Sequence, residues 1–326
     1  MHAIWYERTG PGDQVLTFGE IDTPRPGPED VLVRVRTSGV NPSDTKRRSG
    51  NQPMAFPRVI PHSDGAGIIE AVGSAVPASR VGERVWLWNA QFGRPFGTAA
   101  EYVALPSRQA VRLPEAVDLV AGACLGIPAL TAHRCLFSDG PVQGLTVLVS
   151  GGAGAVGNAA IQLAKWGGAM VITTVSSPEK ADVAREAGAD HVIDYRKEDV
   201  TARIHDITRG AGVDRVVEMA FGHNISVDSA VIQQNGVIAA YSSDANPYPQ
   251  IPFFELMRKD ITLRLTLVYI IPTAAREQGI ADVNAALEAG ALRPVIAKRF
   301  ALRETALAHQ AVESGQMMGN VVVEVD

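Results

Sequence analysis

Apolar and polar residues alternate along the first third of the chain in short runs. Val31-Leu-Val-Arg-Val-Arg36 has the two-residue period of a half-buried strand. The stretches 67–73 and 84–88 have the same character between glycine and proline turns. Prolines at 26, 28, 42, 53, 57 and 61 keep helices out of most of this region. From about Ala116 the period becomes helical, and 120–137 is expected to form a connecting helix interrupted near Pro128. Beyond Leu145, β-branched runs alternate with amphipathic stretches, which is the signature of a doubly wound parallel sheet. Strands are expected at 146–150, 170–174, 191–193, 215–218, 236–240 and 261–267. The last mixes Thr262, Arg264 and Thr266 with apolar residues, as an edge strand does, and its open backbone groups suit pairing with a second copy. The tail returns to the first style, with a helix over 302–314 and a closing strand over 321–325. The expected organisation is therefore a first domain of 1–122 completed by 270–326, with a second domain of 123–269 inserted in it.

The segment Val147-Leu-Val-Ser-Gly-Gly-Ala-Gly-Ala-Val-Gly157 carries the most chemistry. A strand breaks into Gly152-x-Gly154-x-x-Gly157 and an amphipathic stretch follows at once, the context that a dinucleotide-binding loop requires. The first glycine permits the turn, the second lets backbone approach a pyrophosphate, and the third lets helix pack on strand. The helix start at Ala155 and Val156 then offers N–H groups to the anion. An NAD site places a carboxylate at the tip of the second strand to accept the ribose hydroxyls. That tip here reads Val175-Ser-Ser-Pro-Glu-Lys180, with two hydroxyls and a lysine. Ser176, Ser177 and Lys180 suit a 2′-phosphate, so NADPH is the expected cofactor. Ser177-Pro178 also reads as an ordinary capped helix start, and the two roles are compatible.

Composition narrows the remaining classes. At 326 residues, with 46% hydrophobic and 20% charged positions, the chain fits a two-domain globular enzyme. A net charge of −5 with scattered basic residues argues against nucleic acid or an acidic membrane as partner. The one basic cluster, Lys46-Arg47-Arg48, reads as a solvated face. Residues 2–9 lack the apolar core of a signal peptide, and no apolar run is long enough to span a bilayer. Cys124 and Cys135 read as reduced, buried thiols of a cytoplasmic protein, too few for a disulfide framework or a cysteine-rich zinc site.

Several segments together resemble the quinone oxidoreductase, zeta-crystallin-like branch of the medium-chain dehydrogenase/reductase family. They are Gly39-Val-Asn-Pro-Ser-Asp-Thr45, Pro61-His-Ser-Asp-Gly-Ala-Gly67, Gly97-Thr-Ala-Ala-Glu-Tyr102, Gly126-Ile-Pro-Ala-Leu-Thr-Ala132, the glycine loop, and Ala187-Gly-Ala-Asp-His-Val-Ile-Asp-Tyr195. They follow the family order over nearly the whole chain. The resemblance implies a GroES-like β-barrel domain joined to a Rossmann domain, an α/β architecture with the active site in the cleft between them. Zinc-dependent alcohol dehydrogenases of the same superfamily carry Cys where Asn41 stands and His where Ser63 stands. An amide and a hydroxyl are poor replacements for thiolate and imidazole, His62 alone cannot hold a catalytic zinc, and the four-cysteine structural lobe is absent. No metal is expected. Without a Lewis acid the favoured chemistry is reduction of a conjugated acceptor, in which negative charge delocalises onto oxygen.

The resemblance places Asn41, Asp44 and Thr131 near the nicotinamide and its ribose. It assigns Gly152, Gly154, Ala155, Val156 and Gly157 to the pyrophosphate, and Ser176, Lys180 and Tyr195 to the 2′-phosphate. Tyr241 and Ser242 should face the cofactor, Leu267, Val268 and Tyr269 should line the nicotinamide pocket, and Asn320 should lie against the cofactor. Tyr241 and Tyr269 are the candidate proton donors or stacking groups. Asn41 and Asp44 also read as caps of a short helix. Enoyl-thioester reductases place a proton-donating Tyr where Gln52 stands, which disfavours acyl thioesters, and Lys46 replaces the usual pocket Tyr. The implied activity is that of an NADPH:quinone reductase-like oxidoreductase acting on a quinone or activated alkene, as a cytoplasmic homodimer. An enoyl or alkenal reductase of lipid or polyketide metabolism, and a non-catalytic, crystallin-like NADPH-binding protein, are the alternatives.

Overall fold

The computed structural model describes residues 1–325, which divide into two compact units, 1–127 with 294–325 and 128–293. Among the described residues of the second unit, a parallel sheet runs in the spatial order His191–Asp194, Met170–Val175, Thr146–Val149, Val213–Glu218, Ile232–Ala240, Thr262–Leu265. Counted within the unit this is the 3-2-1-4-5-6 order of dinucleotide-binding sheets. The chain reverses its winding between Thr146–Val149 and Val213–Glu218, and ligands bind beyond strand ends at such a point. Leu148, Ile172, Ile193, Val216, Ile225 and Ile238 join one apolar core. Thr262–Leu265 is an edge strand, with Leu265 largely exposed.

In the first unit a mostly antiparallel sheet has the order Ile296–Ala301, Asn320–Glu324, Asp30–Val40, Asp64–Val72, Arg84–Leu87, Ala110–Arg112. The strand Tyr102–Pro106 pairs with Asp30–Val40 as well. Two strands from the tail thus extend a sheet begun by the first hundred residues. Val31, Val33 and Val35 turn inward with Val85, Leu105, Val321 and Val323, the alternation visible in sequence. The segment read as one interrupted helix is three pieces: Leu119–Gly122, a wide turn Leu125–Ala129 holding Pro128, and Leu130–Phe137. The missing proline N–H is what breaks it.

Three expectations differ from the structure. The boundary expected at 269/270 lies instead at 293/294, because the helix Thr273–Glu288 packs on Leu130–Phe137 within the second unit. The basic cluster is not uniformly solvated. Arg48 is 1% exposed, donates to the Gly10 carbonyl and pairs with Glu313. Nor is His62 solitary. It sits in the left-handed backbone region at φ +79, and its Nε2 lies 2.9 Å from the Nε2 of buried His309.

Candidate functional site

The glycine loop leaves the C-terminal end of Thr146–Val149 and enters the helix Ala155–Trp166, with Gly154 as its N-cap. A Cβ at Gly157 would run into the Gly151 carbonyl and one at Gly152 into Thr173, so packing demands both glycines. Gly154 is different. Its φ of −78 suits any residue, and a Cβ there meets only the Gly151 oxygen, at 3.5 Å. Neither backbone nor packing requires glycine, and the unfilled space sits at a helix start where Ala155, Val156 and Gly157 precede the hydrogen-bonded ladder. An anionic pyrophosphate fits that space and that field.

The tip of Met170–Val175 carries no carboxylate. Lys180 Nζ reaches Ser176 Oγ at 3.1 Å, while the Ser177 hydroxyl caps the next helix by accepting from the Lys180 N–H. Asp194 pairs in register with Val175, and the Tyr195 N–H donates to the Val175 carbonyl, which brings Tyr195 beside Ser176 with its ring half exposed. Hydrogen bonding to Ser177 lowers the Glu179 carboxyl, so this acid serves its own helix start. The three residues expected at a 2′-phosphate are therefore brought together.

In the first unit, Asn41 ends the strand Asp30–Val40 and caps the helix Pro42–Ser49. Its N–H donates to Asp44 Oδ2 at 2.9 Å and its amide Nδ2 to Asp64 Oδ2 at 2.8 Å, with Asp64 also accepting from the Ile127 N–H at 2.9 Å. All three side chains are buried. Strand register adds Asn320 to this sheet end, since Val321 pairs with Val40 and Gly39 with Asp64. The Asn320 amide is committed to structure, donating to the Val295 carbonyl at 3.0 Å.

Burial raises the Asp64 carboxyl well above its ordinary value. It pushes Asp44 up from 3.8 to about 6, against the opposing pull of Arg47 and the Asn41 N–H. The folded chain thus keeps a proton that the unfolded chain gives up between pH 3.8 and about 6, so Asp44's contribution to stability is complete below that window and lost through it as pH rises. Asp44→Asn is expected to remove this dependence. Denaturant titrations at pH 4 and pH 7 should show wild type losing about 2–3 kcal/mol relative to the variant. A constant difference at the two values would show that Asp44 titrates normally.

Thr131 is buried on Leu130–Phe137. Tyr241 is half-buried just past Ile232–Ala240, its phenol raised by desolvation, and Ser242 Oγ donates to Asp244 at 3.0 Å. Tyr269 and Val268 are buried in the short turn Val268–Ile270, whereas Leu267 is exposed. Sequence reasoning missed Arg47. It lines a cavity of the first unit together with Gln52, whereas Lys46 does not. The available signal was spacing, since Asp44 and Arg47 are three residues apart and share a helix face.

Among the described residues no group of three or more His, Cys, Asp or Glu side chains is placed to hold a metal. No helix is long and apolar enough to cross a membrane, again among the described residues.

Residues 27–115 match the model of the alcohol dehydrogenase GroES-like domain, and residues 155–285 match that of zinc-binding dehydrogenases. A quinone oxidoreductase of Pseudomonas aeruginosa is 33% identical over 96% of each chain. A 2-haloacrylate reductase of a Burkholderia species is 30% identical over 99% of this chain and 98% of its own. Among solved structures, a mycobacterial protein complexed with NADPH superposes with a TM-score of 0.88 at 30% identity, covering 99% of this chain and all of that one.

Proposed function

The chain belongs to the quinone oxidoreductase branch of the medium-chain dehydrogenase/reductase family, and from that membership we propose that it is a zinc-independent, NADPH-dependent reductase of quinones or activated alkenes. The observation that carries this reading is the pairing of the open space at Gly154 with Lys180 and Ser176 at the neighbouring strand tip. Bound NADPH supplies a hydride equivalent, which with one proton from solvent reduces a quinone carbonyl system or a conjugated C=C. Ala155 and Val156 present amides to the pyrophosphate, and Ser176, Lys180 and Tyr195 hold the 2′-phosphate. Asn41, fixed by Asp64, Asp44 and Asn320 are the first unit's candidate contacts to the cofactor, and Thr131, Tyr241, Ser242, Leu267 and Val268 are those of the second unit. Charge developing on the acceptor oxygen is met by neutral donors, Tyr269 among them, in place of a metal.

The test is loss of nicotinamide absorbance with 1,4-benzoquinone, 9,10-phenanthrenequinone, an alkenal and an enoyl thioester, with and without a chelator. Chelator-insensitive turnover of a quinone or alkenal is expected. Binding of NADPH without turnover of any acceptor would favour the non-catalytic alternative. Preference for a halogenated alkene is a second outcome with a specific basis, the 2-haloacrylate reductase among the relatives.

The same reading includes a cytoplasmic homodimer. Cys124 and Cys135 are free and buried, as in a reducing compartment. The edge strand Thr262–Leu265 lies in a unit that also exposes Phe253, Phe254, Met257 and Leu267. Such an edge pairs with its own copy across a twofold axis. Leu265, 75% exposed, contributes nothing to the monomer core, so Leu265→Glu is expected to halve the mass seen by light scattering without lowering the helix signal. An unchanged mass would place the interface elsewhere.

A further inference from the structure

The first unit contains a cavity of about 240 Å³ along the helix Pro42–Ser49. Tyr6, Arg47, Gln52, Phe56, Gln91 and Phe92 form its chemically distinctive lining. Among the described residues that line it, Arg47 is the one cation and none is Asp or Glu. The guanidinium is held in place. Its Nη1 donates to Gln91 Oε1 at 2.9 Å, Gln91 Nε2 donates in turn to the Arg94 carbonyl at 3.1 Å, and the guanidinium carbon lies 5.7 Å from the Phe92 ring centre. An oriented planar fork of this kind matches a carboxylate better than a mobile ammonium does. The remaining walls are aromatic or amide. Burial and the nearby Asp44 charge raise the Tyr6 phenol to about 12, which keeps its hydroxyl protonated as a donor.

Size and position define the ligand further. Pockets for drug-sized molecules span roughly 300–1,000 Å³, so this one takes a smaller guest. Three aromatic side chains in the lining, Tyr6, Phe56 and Phe92, suit a conjugated molecule. Arg47 shares a helix face with Asp44 and lies nearly two turns from the cap Asn41 that the reductase reading puts at the nicotinamide ribose.

We propose that this cavity binds a small conjugated acceptor carrying a carboxylate, and that Arg47 determines specificity by holding that group. The proposal rests on the reductase reading for the word acceptor, and on the cavity alone for the anion.

trans-4-Oxopent-2-enoate and its methyl ester present the same enone with and without the charge. Wild type with NADPH is expected to favour the acid at least tenfold in kcat/KM. Arg47→Gln should collapse that ratio, and Arg47→Lys, which keeps the charge but not the fork, should recover part of it. A second readout needs no turnover: 4-oxopentanoate, the saturated product, is expected to bind wild type in calorimetry and to bind Arg47→Gln at least tenfold more weakly. Equal use of acid and ester, with quinone reduction intact, would overturn the carboxylate assignment and leave the reductase reading standing. Arg47-dependent binding of 4-oxopentanoate with no turnover of any acceptor would support the anion site and remove the reductase reading. Absence of both acid preference and Arg47-dependent binding would overturn the proposal entirely.

Discussion

Gly154→Val is expected to abolish binding of NADPH and NADH alike, by at least a hundredfold in Kd, while the protein still folds. The two halves of this result have separate causes. Folding survives because φ −78 and ψ 164 lie in the region that valine prefers, and the nearest atom to the new Cβ is a carbonyl oxygen 3.5 Å away. Binding fails because the isopropyl group occupies the space that a pyrophosphate would take, and holds the anion away from the helix start. A hundredfold loss corresponds to about 2.7 kcal/mol, within what a displaced charge-assisted contact costs. Fluorescence titration with each nucleotide and circular dichroism melting would measure both halves. Retained binding would mean that the loop has no nucleotide role. Gly157→Val provides the contrast, since its side chain would meet the Gly151 carbonyl, and it should lower the melting temperature outright.

Lys180→Glu should separate the two nucleotides. Only NADPH carries a 2′-phosphate, with a charge near −2, and the lysine that reaches Ser176 at 3.1 Å is the group placed to meet it. Replacing attraction by repulsion at such distances in a half-exposed site is worth roughly 2–4 kcal/mol. The ratio of kcat/KM for NADPH over NADH is therefore expected to fall about a hundredfold or more, with most of the change in KM. Equal effects on both nucleotides would remove Lys180 from the phosphate site. Rising salt should weaken NADPH in wild type more than in the variant, because screening acts on the charge pair.

How much of this was visible beforehand follows from the range of each signal. The strands of the second unit, the glycine loop and the Ser176–Lys180 tip are written in contiguous residues, where period and local spacing determine the outcome. The helix Pro42–Ser49 defeats that approach. Its three consecutive basic residues look alike in sequence, yet each step turns the side chain by about 100°. Arg48 consequently enters the core to meet Glu313, whereas Arg47 turns to the cavity and Gln91. Both partners are remote in the chain, and a local pattern contains no information about them. His62 is similar, for its partner His309 lies 247 residues away. The misplaced boundary at 269 has another cause. The helix Thr273–Glu288 carries no distinct apolar stripe that would assign it to either unit, and only its packing on Leu130–Phe137 decides.

The strand Asn320–Glu324 lies between Ile296–Ala301 and Asp30–Val40. During synthesis, then, residues 1–127 emerge long before the strand that completes their sheet, and the whole of 128–293 is made in between. At about 5–20 residues per second that interval is on the order of ten seconds or more. Over this time the flank of Asp30–Val40 that later meets Val321–Glu324 lacks its partner, and unpaired backbone of this kind is a template for other strands. The inserted unit, with every strand of its sheet drawn from one continuous stretch, has no such wait and is the part expected to become protease-resistant first on the ribosome.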